Sequence, residues 1–317
     1  MGEAVLVTGG CGFIGSHLVR ALVESGARVR VLDDLSSGKR ENVEEVLDRI
    51  ELIRDDLRDP AACKRAVQGV RHVYHQGAVP SVPRSVEEPE RTFQVNVVGS
   101  HQLLLAAREA KVQRLVMASS SSVYGNLPVL PKHEELAPQP ASPYAAQKLA
   151  MEQLGMAFAR SLGLEVVALR YFNVYGPRQD PNSAYAAVIP AFAAHLLQGE
   201  PPTIHGDGQQ TRDFTFIGDV VRANLLAARA PQASGQAVNV AGGRRISLLE
   251  LYRLVAEACG RTDVPPRHGP PRAGDVRDSL AAVERAERYL GWRPEVPLAE
   301  GIQRTVDSYR KTLGPGR

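Results

Sequence analysis

Tyr144 and Lys148 stand four residues apart in a stretch, Ser142 to Leu162, whose apolar residues recur at helical spacing, so both side chains fall on one helix face. Together they can act as a proton-transfer unit. A phenol titrates near 10, and a tyrosine base working near neutrality needs its pKa lowered by about 3 units, roughly 4 kcal/mol. One positive charge about 5 Å away, at an effective dielectric near 20, supplies roughly 3 kcal/mol; Lys148 with a second cation would suffice. Upstream, the run Ser119-Ser120-Ser121-Ser122-Val123-Tyr124-Gly125 follows a strand-like apolar segment, so its hydroxyls can bridge a substrate hydroxyl to the phenolate. The competing readings are a tyrosine and a lysine on a solvated helix face, and a serine run that is only a polar turn.

A second group of residues binds. An apolar strand, Val5-Leu6-Val7, leads into Thr8-Gly9-Gly10-Cys11-Gly12-Phe13-Ile14-Gly15, then an amphipathic helix and a second strand ending on Asp33. Gly9, Gly12 and Gly15 have the spacing of a dinucleotide-binding turn: one for the tight turn, one for close approach to a pyrophosphate, one for helix packing on the strand. The phosphates would sit at the helix N-terminus, on the N–H groups that open with Phe13 and Ile14. Asp33, followed by Asp34, ends the next strand at close to the roughly 20-residue distance expected of the carboxylate that hydrogen-bonds an adenosine ribose. A carboxylate accepts from a 2′-OH and repels a 2′-phosphate, which selects NAD over NADP. The nicotinamide ring of NAD⁺ is then the second cation. With 28 glycines in 317 residues a spaced triplet alone is weak; strand, helix and acid in the right order give it weight. Gly38-Lys39 lacks the upstream glycine of a triphosphate loop, which argues against ATP chemistry.

These residues need a scaffold. Strand-like runs recur at Glu51 to Arg54, His72 to His75, Arg114 to Ala118 and Glu165 to Arg170, separated by helical patterns, which predicts an α/β fold: a Rossmann-type doubly wound parallel sheet with helices on both faces. The loops after Thr8, Asp33, Arg54, His75, Ala118 and Arg170 should converge on one cleft. From about Asn173, Gly and Pro punctuate short segments, predicting a second, smaller substrate-binding α+β domain. The expected division is 1–172 and 211–241 for the nucleotide domain, and 173–210 and 242–317 for the other. Ala237 to Val240 reads as one more strand of the main sheet, Ser247-Leu248-Leu249-Glu250 as a capping box, and Ala281 to Leu290 as a helix.

At 34.3 kDa, with 44% hydrophobic residues and a net charge of +3 without a basic block, the chain reads as an ordinary globular protein with no nucleic-acid or membrane surface. The first strand begins at residue 4 or 5, leaving no room for a signal peptide, so the expected location is the cytoplasm. Cys11, Cys63 and Cys259 have neither disulfide nor metal-ligand spacing and read as packing residues; no metal is expected.

The glycine-rich turn continued through Ser16-His17, the serine run, Tyr144 to Lys148, Arg170-Tyr171-Phe172-Asn173-Val174-Tyr175-Gly176-Pro177-Arg178 and Thr211-Arg212-Asp213-Phe214 together resemble the extended short-chain dehydrogenase/reductase superfamily, most of all its nucleotide-sugar 4-epimerases. Ser81-Val82-Pro83-Arg84-Ser85, Arg178-Gln179-Asp180-Pro181-Asn182 and Ala186-Ala187-Val188-Ile189-Pro190 are most similar to UDP-N-acetylglucosamine 4-epimerases. The resemblance implies that Tyr144 takes the proton of the sugar 4-OH while hydride passes from C4 to NAD⁺, and that the 4-keto sugar turns about its diphosphate and is reduced on its other face. It implies Ser120 as the catalytic hydroxyl, with Ser121 and Ser122 beside it, and Lys148 on the nicotinamide ribose. It places Asp56 and Leu57 near adenine, and Gln76, Gly77, Ala78, Asn96 and Tyr171 along the cofactor. On the substrate side it implies Ser81, Arg84, Asn173, Val188, Thr203, His205, Arg212, Arg272, Asp275 and Ser279, the arginines suiting a diphosphate through their fork of donors. A homodimer through the helices around Arg91 to Glu109 and Ser142 to Leu162 is also implied.

The relatives that are 4,6-dehydratases carry Asp-Glu or Glu directly after the catalytic hydroxyl; here Ser121 and Ser122 stand there. A reductase would exchange its cofactor with solution, and a non-catalytic redox sensor tends to lose the Tyr and Lys. Ser279, placed by the family's Arg-x-Gly-Asp motif, borders the sugar C2 substituent, where epimerases restricted to UDP-glucose carry a tyrosine. UDP-N-acetylglucosamine is therefore the expected substrate and UDP-glucose a weaker one. UDP-glucuronic acid, or UDP-N-acetylglucosaminuronic acid, is the alternative: dedicated glucuronic acid epimerases typically carry Thr at Asn173 and Arg at Asp180, and a carboxylate near Asp180 should be repelled unless Arg84, Arg178 or the serine hydroxyls intervene.

Overall fold

Seven parallel strands form the centre of the protein in the computed structural model, which describes residues 2–181, 187–271 and 277–313. Strands β1 (Ala4–Thr8), β2 (Arg28–Leu32), β3 (Ile50–Ile53), β4 (His72–His75), β5 (Arg114–Ser120) and β6 (Glu165–Tyr171) come from the first half of the chain. Strands β7 (Val174–Tyr175), β8 (Thr203–His205), β9 (Thr211–Asp213) and β10 (Thr215–Phe216) precede β11 (Gln236–Val240), and β12 (Arg245–Ser247) and β13 (Arg267–Gly269) follow it. The central order is β3-β2-β1-β4-β5-β6-β11. The expected strands are all present, the one at Ala237 to Val240 included. Strand order reverses on either side of β1, which fixes the binding crevice at the carboxyl ends of β1 and β4.

The helices are α1 (Phe13–Glu24), α2 (Pro60–Val67), α3 (Val82–Glu87), α4 (Pro89–Phe93), α5 (Ser100–Glu109), α6 (Pro143–Ser161), α7 (Val188–Leu197), α8 (Ile217–Ala227), α9 (Leu248–Cys259), α10 (Glu284–Leu290) and α11 (Leu298–Leu313). Alternation along the strands decides how they pack. Val5 and Val7 face one way, onto Leu18, Val19 and Leu22 of α1 and Val220 of α8, while Leu6 faces the other, onto the layer that holds Ala62 and Ala66 of α2 and Leu103 and Leu104 of α5. The first layer does not stop at the sheet: it runs without a break through Tyr175, Phe192, Phe214, Phe216, Leu251, Trp292, Ile302 and Tyr309. All three cysteines are free and buried.

Local signals explain the helix that carries Tyr144. The Ser142 side chain accepts from Ala145 N at 3.2 Å, and Pro143 takes the first helical position, where its missing N–H costs nothing. The box at Ser247 and Glu250 forms as expected. The helix expected from Ala281 starts instead at Glu284. Ala281 N donates to Asp213 Oδ2 and Ala282 N to the Lys132 carbonyl, so tertiary partners hold these residues extended. The helical run around Arg91 to Glu109 is α4 and α5 joined by a π-helical stretch, Gln94–Gly99. Beyond the central sheet, β7 pairs with β10, β9 with β12 and β8 with β13.

Candidate active site

The glycine-rich turn is shaped as its spacing requires. Gly9 has a φ of +64°, and a Cβ there would lie 2.8 Å from the Gly77 Cα, so the loops after β1 and β4 touch where only glycine fits. A Cβ on Gly15 would lie 2.0 Å from the Gly9 carbonyl oxygen, which explains the third glycine through helix packing. Gly12 is the N-cap of α1, with no side-chain cap and no acid in the first turn. The N–H groups there are left to an anionic ligand. Asp33 is buried at the tip of β2, its carboxylate accepting from Cys11 N at 2.8 Å and Leu35 N at 2.9 Å. Burial raises its pKa and the two backbone donors oppose the rise. The carboxylate is thus fixed against the turn, a fit to a dinucleotide with a free ribose hydroxyl. Asp34 is exposed and bonded within its own turn to Ser36.

Other residues expected along the cofactor sort into two kinds. Gln76 and Tyr171 meet: Gln76 Nε2 donates to Tyr171 Oη at 3.2 Å and to Asn224 Oδ1 at 3.1 Å, and Tyr171 Oη donates to Asn224 Oδ1 at 3.0 Å. Asn224, buried on α8, had no signal in the sequence. Gly77 N donates to Thr8 Oγ1, with Ala78 next in the loop. Asn96 is engaged by protein, accepting from Val79 N at 2.7 Å and donating to Gln147 Oε1 at 2.9 Å. It pins the loop after β4 to α6. Asp56 pairs with Arg58, which lowers its pKa, and Leu57 is buried against Gly99.

The end of β5 separates the four serines. Ser119 is buried and donates to Glu152 Oε2 at 2.6 Å; Glu152 in turn takes Nε and Nη2 of Arg170 at 2.9 and 2.7 Å. Ser119 therefore belongs to a buried ionic brace. Tyr144, Lys148 and Glu152 recur every four residues along α6, so the brace sets the helix against β5. Ser120 is the serine that hydrogen-bonds the Tyr144 phenol, and its Oγ also accepts from Ser122 Oγ at 2.9 Å. Lys148 Nζ donates to the Ala118 carbonyl at 2.9 Å and lies 5.9 Å from the centre of the Tyr144 ring. Ser85 Oγ accepts from Tyr144 N at 3.0 Å.

The electrostatics differ from the expectation in one respect. Burial pushes the Tyr144 phenol up to about 12, partly opposed by the Ser120 hydrogen bond, and pulls Lys148 down to about 8. Counting only the attraction to Lys148 left out desolvation, which disfavours the charged form of both groups. A phenolate at Tyr144 would therefore need both its hydroxyl partner and a cation. Ser120→Ala should lower turnover about tenfold, the scale of one hydrogen bond to a charged oxygen. Ser119→Ala should instead lower the melting temperature, since it removes one donor from a buried carboxylate that keeps its Arg170 partner; steady-state rates and thermal melts of the two variants check this assignment.

Beside this group opens a cavity of about 410 Å³ lined by Ser121, Ser122, Asn173, Arg212 and Ser279, all expected on the substrate side, and by Tyr124, Asn126, Lys132 and Asp278, which were not. Asn173 holds a positive φ of 31°, with Nδ2 donating to the Asp213 carbonyl at 2.7 Å; asparagine tolerates that backbone better than most residues. Ser81, Arg84, Val188, Thr203 and His205 do not line this cavity, and Ser120 and Tyr144 stand beside it, next to its wall residues Ser121, Pro143 and Ala145. Ser81 caps α3, accepting from Arg84 N, and His205 Nδ1 meets the Pro270 carbonyl. Arg272 and Asp275 lie outside the described residues. Asp180, from which repulsion of a substrate carboxylate was expected, pairs with Lys39 at 2.8 Å and is not on the cavity wall. Among the described residues no cluster could hold a metal, and no helix is long and apolar enough to cross a membrane.

Known proteins share this arrangement. The chain is 43% identical over 309 residues to a UDP-glucose 4-epimerase of Mycolicibacterium smegmatis, covering 96% of this chain and 98% of that one. A UDP-N-acetylglucosamine 4-epimerase from Methanobrevibacter ruminantium, solved with UDP-N-acetylmuramic acid, superposes with a TM-score of 0.94 at 38% identity, covering 98% and 100% of the two chains. A UDP-glucose 4-epimerase of Thermus thermophilus, solved with NAD, does so at 0.88 and 42% identity, covering 97% and 99%. Residues 5–241 match the NAD dependent epimerase/dehydratase family, to which the chain belongs.

Proposed function

We propose that the protein is an NAD-dependent 4-epimerase of UDP-hexoses, acting on the N-acetylated pair, UDP-N-acetylglucosamine and UDP-N-acetylgalactosamine, better than on UDP-glucose and UDP-galactose. NAD, when bound, supplies a reversible hydride acceptor at the sugar C4. Tyr144 removes the 4-OH proton and returns it after the sugar has turned. Ser120 bridges the hydroxyl and the phenol, and Lys148 holds the positive charge beside the phenolate. Asn173 and Arg212 face the uridine diphosphate side of the cavity.

The observation that carries the N-acetyl reading is Ser279, a small hydroxyl side chain on the cavity wall beside Ser121, Ser122 and Asn173. The Methanobrevibacter ruminantium relative, solved with an N-acetylated UDP-sugar, supports it. Phe93, Leu105 and Leu162, exposed apolar side chains on the helical runs that the family uses for dimerisation, support a homodimer. The test is a panel of UDP-sugars incubated without added cofactor and resolved by chromatography. We expect 4-epimers from the N-acetylated pair through many turnovers, and NAD⁺ or NADH but no NADP in the mass spectrum of the denatured protein. A stoichiometric need for fresh cofactor would instead mark a reductase.

A further inference from the structure

One cation on the substrate cavity has no part in the reaction above. Lys132 lines the cavity yet is only 3% exposed. Its Nζ donates to the carbonyl of Leu127, and among the described residues it forms no ion pair. Burial alone lowers its pKa. Its backbone is locked on both sides, N–H to the Leu280 carbonyl at 2.7 Å and carbonyl to Ala282 N at 2.8 Å and Asn239 Nδ2 at 2.9 Å, so it is tied to the same segment that carries Ser279.

Among the described residues, the other charged groups on the cavity wall are Arg212 and Asp278. Asp278 Oδ1 already accepts from Thr211 Oγ1 at 2.6 Å. Glu134, two residues on from Lys132, accepts from Asn239 N at 2.7 Å and faces Arg285. An ammonium has three donors, and one carbonyl takes one of them. Burying such a group without a counter-charge is costly, and a carboxylate delivered by a ligand removes that cost, which a neutral hydroxymethyl group does not.

We propose that Lys132 is a specificity-determining residue that binds a carboxylate on the hexose, so that carboxylated UDP-hexoses turn over better than their neutral counterparts. This rests on the reading of the cavity as the sugar site of a UDP-hexose 4-epimerase. It deepens that reading: the preferred sugar is both N-acetylated and acidic.

The test compares kcat/KM within two substrate pairs, UDP-N-acetylglucosamine with UDP-N-acetylglucosaminuronic acid and UDP-glucose with UDP-glucuronic acid, for the wild type, Lys132→Met and Lys132→Arg. The readout is the acid-to-neutral ratio within one protein preparation, from which any loss of folded protein cancels. We expect a ratio above one in the wild type, a fall of roughly thirtyfold in Lys132→Met, the scale of one charge-assisted hydrogen bond, and retention within about threefold in Lys132→Arg, which keeps the charge. A wild-type ratio below one, or a ratio that Lys132→Met leaves in place, overturns the proposal. Turnover of the glucose pair alone sinks the N-acetyl reading, while the ratio in that pair still decides the role of Lys132.

Discussion

Tyr144→Phe is expected to lose at least about a hundredfold in turnover while the protein still carries NAD, the scale of lost acid–base catalysis. The substitution removes one oxygen and keeps the ring in place. Lys148 stays on the Ala118 carbonyl, and the backbone N–H of residue 144 stays on Ser85 Oγ. What disappears is the group that accepts the sugar proton and its hydrogen bond to Ser120. Burial holds this phenol up at about 12 even with the Ser120 hydrogen bond opposing the rise, so the loss falls on a group whose ionisation the site must assist. Turnover by chromatography and bound nucleotide by mass spectrometry, on the same preparation, check the prediction; near-normal activity would remove Tyr144 from the base role.

Ser279→Tyr should abolish turnover of UDP-N-acetylglucosamine while sparing UDP-glucose. Ser279 is partly exposed on the cavity wall, its backbone N–H held by the Thr211 carbonyl at 3.1 Å. A larger side chain there can keep that anchor and must put its ring into the cavity. The space lost is the space an acetamido group needs, and a 2-hydroxyl needs far less. The comparison is of kcat/KM for the two sugars in one variant. If both fall together, the site beside Ser279 does not read the C2 substituent.

Much of this was legible in the sequence because the signals are local. Glycine spacing, Ser142 before Pro143, and the four-residue interval of Tyr144 and Lys148 each report a turn, a cap or a helix face, and each of these formed. The central strands and their parallel sheet followed from apolar runs alternating with helical patterns, whereas the strand order did not. What stayed hidden depends on contacts distant along the chain. Asn224 reaches Gln76 and Tyr171 across 148 and 53 positions; the start of α10 is moved by Asp213 and Lys132; and Lys132 gains its place on the cavity through Leu280. The same limit applied to the serine run, where the brace through Glu152 and Arg170 distinguishes Ser119 from Ser120 and neither partner lies near in sequence.

The unbroken apolar layer that runs from β1 to Tyr309 has a mechanical consequence. Tyr175 meets Phe214 and Phe216 edge-on, at 6.2 and 5.6 Å between ring centres, and a Cβ on Gly301 would fall 2.2 Å from the Tyr175 hydroxyl. Swinging the sugar-facing part away as a rigid flap would uncover the interlocked rings of Tyr175, Phe214 and Phe216. At about 1.5–3 kcal/mol for each large side chain exposed, three of them oppose that motion by roughly 7 kcal/mol. In the proposed reaction, a sugar reversing its face would turn inside a room whose two sides are stitched together by these rings, and the shape of that room would set which sugars can complete the turn.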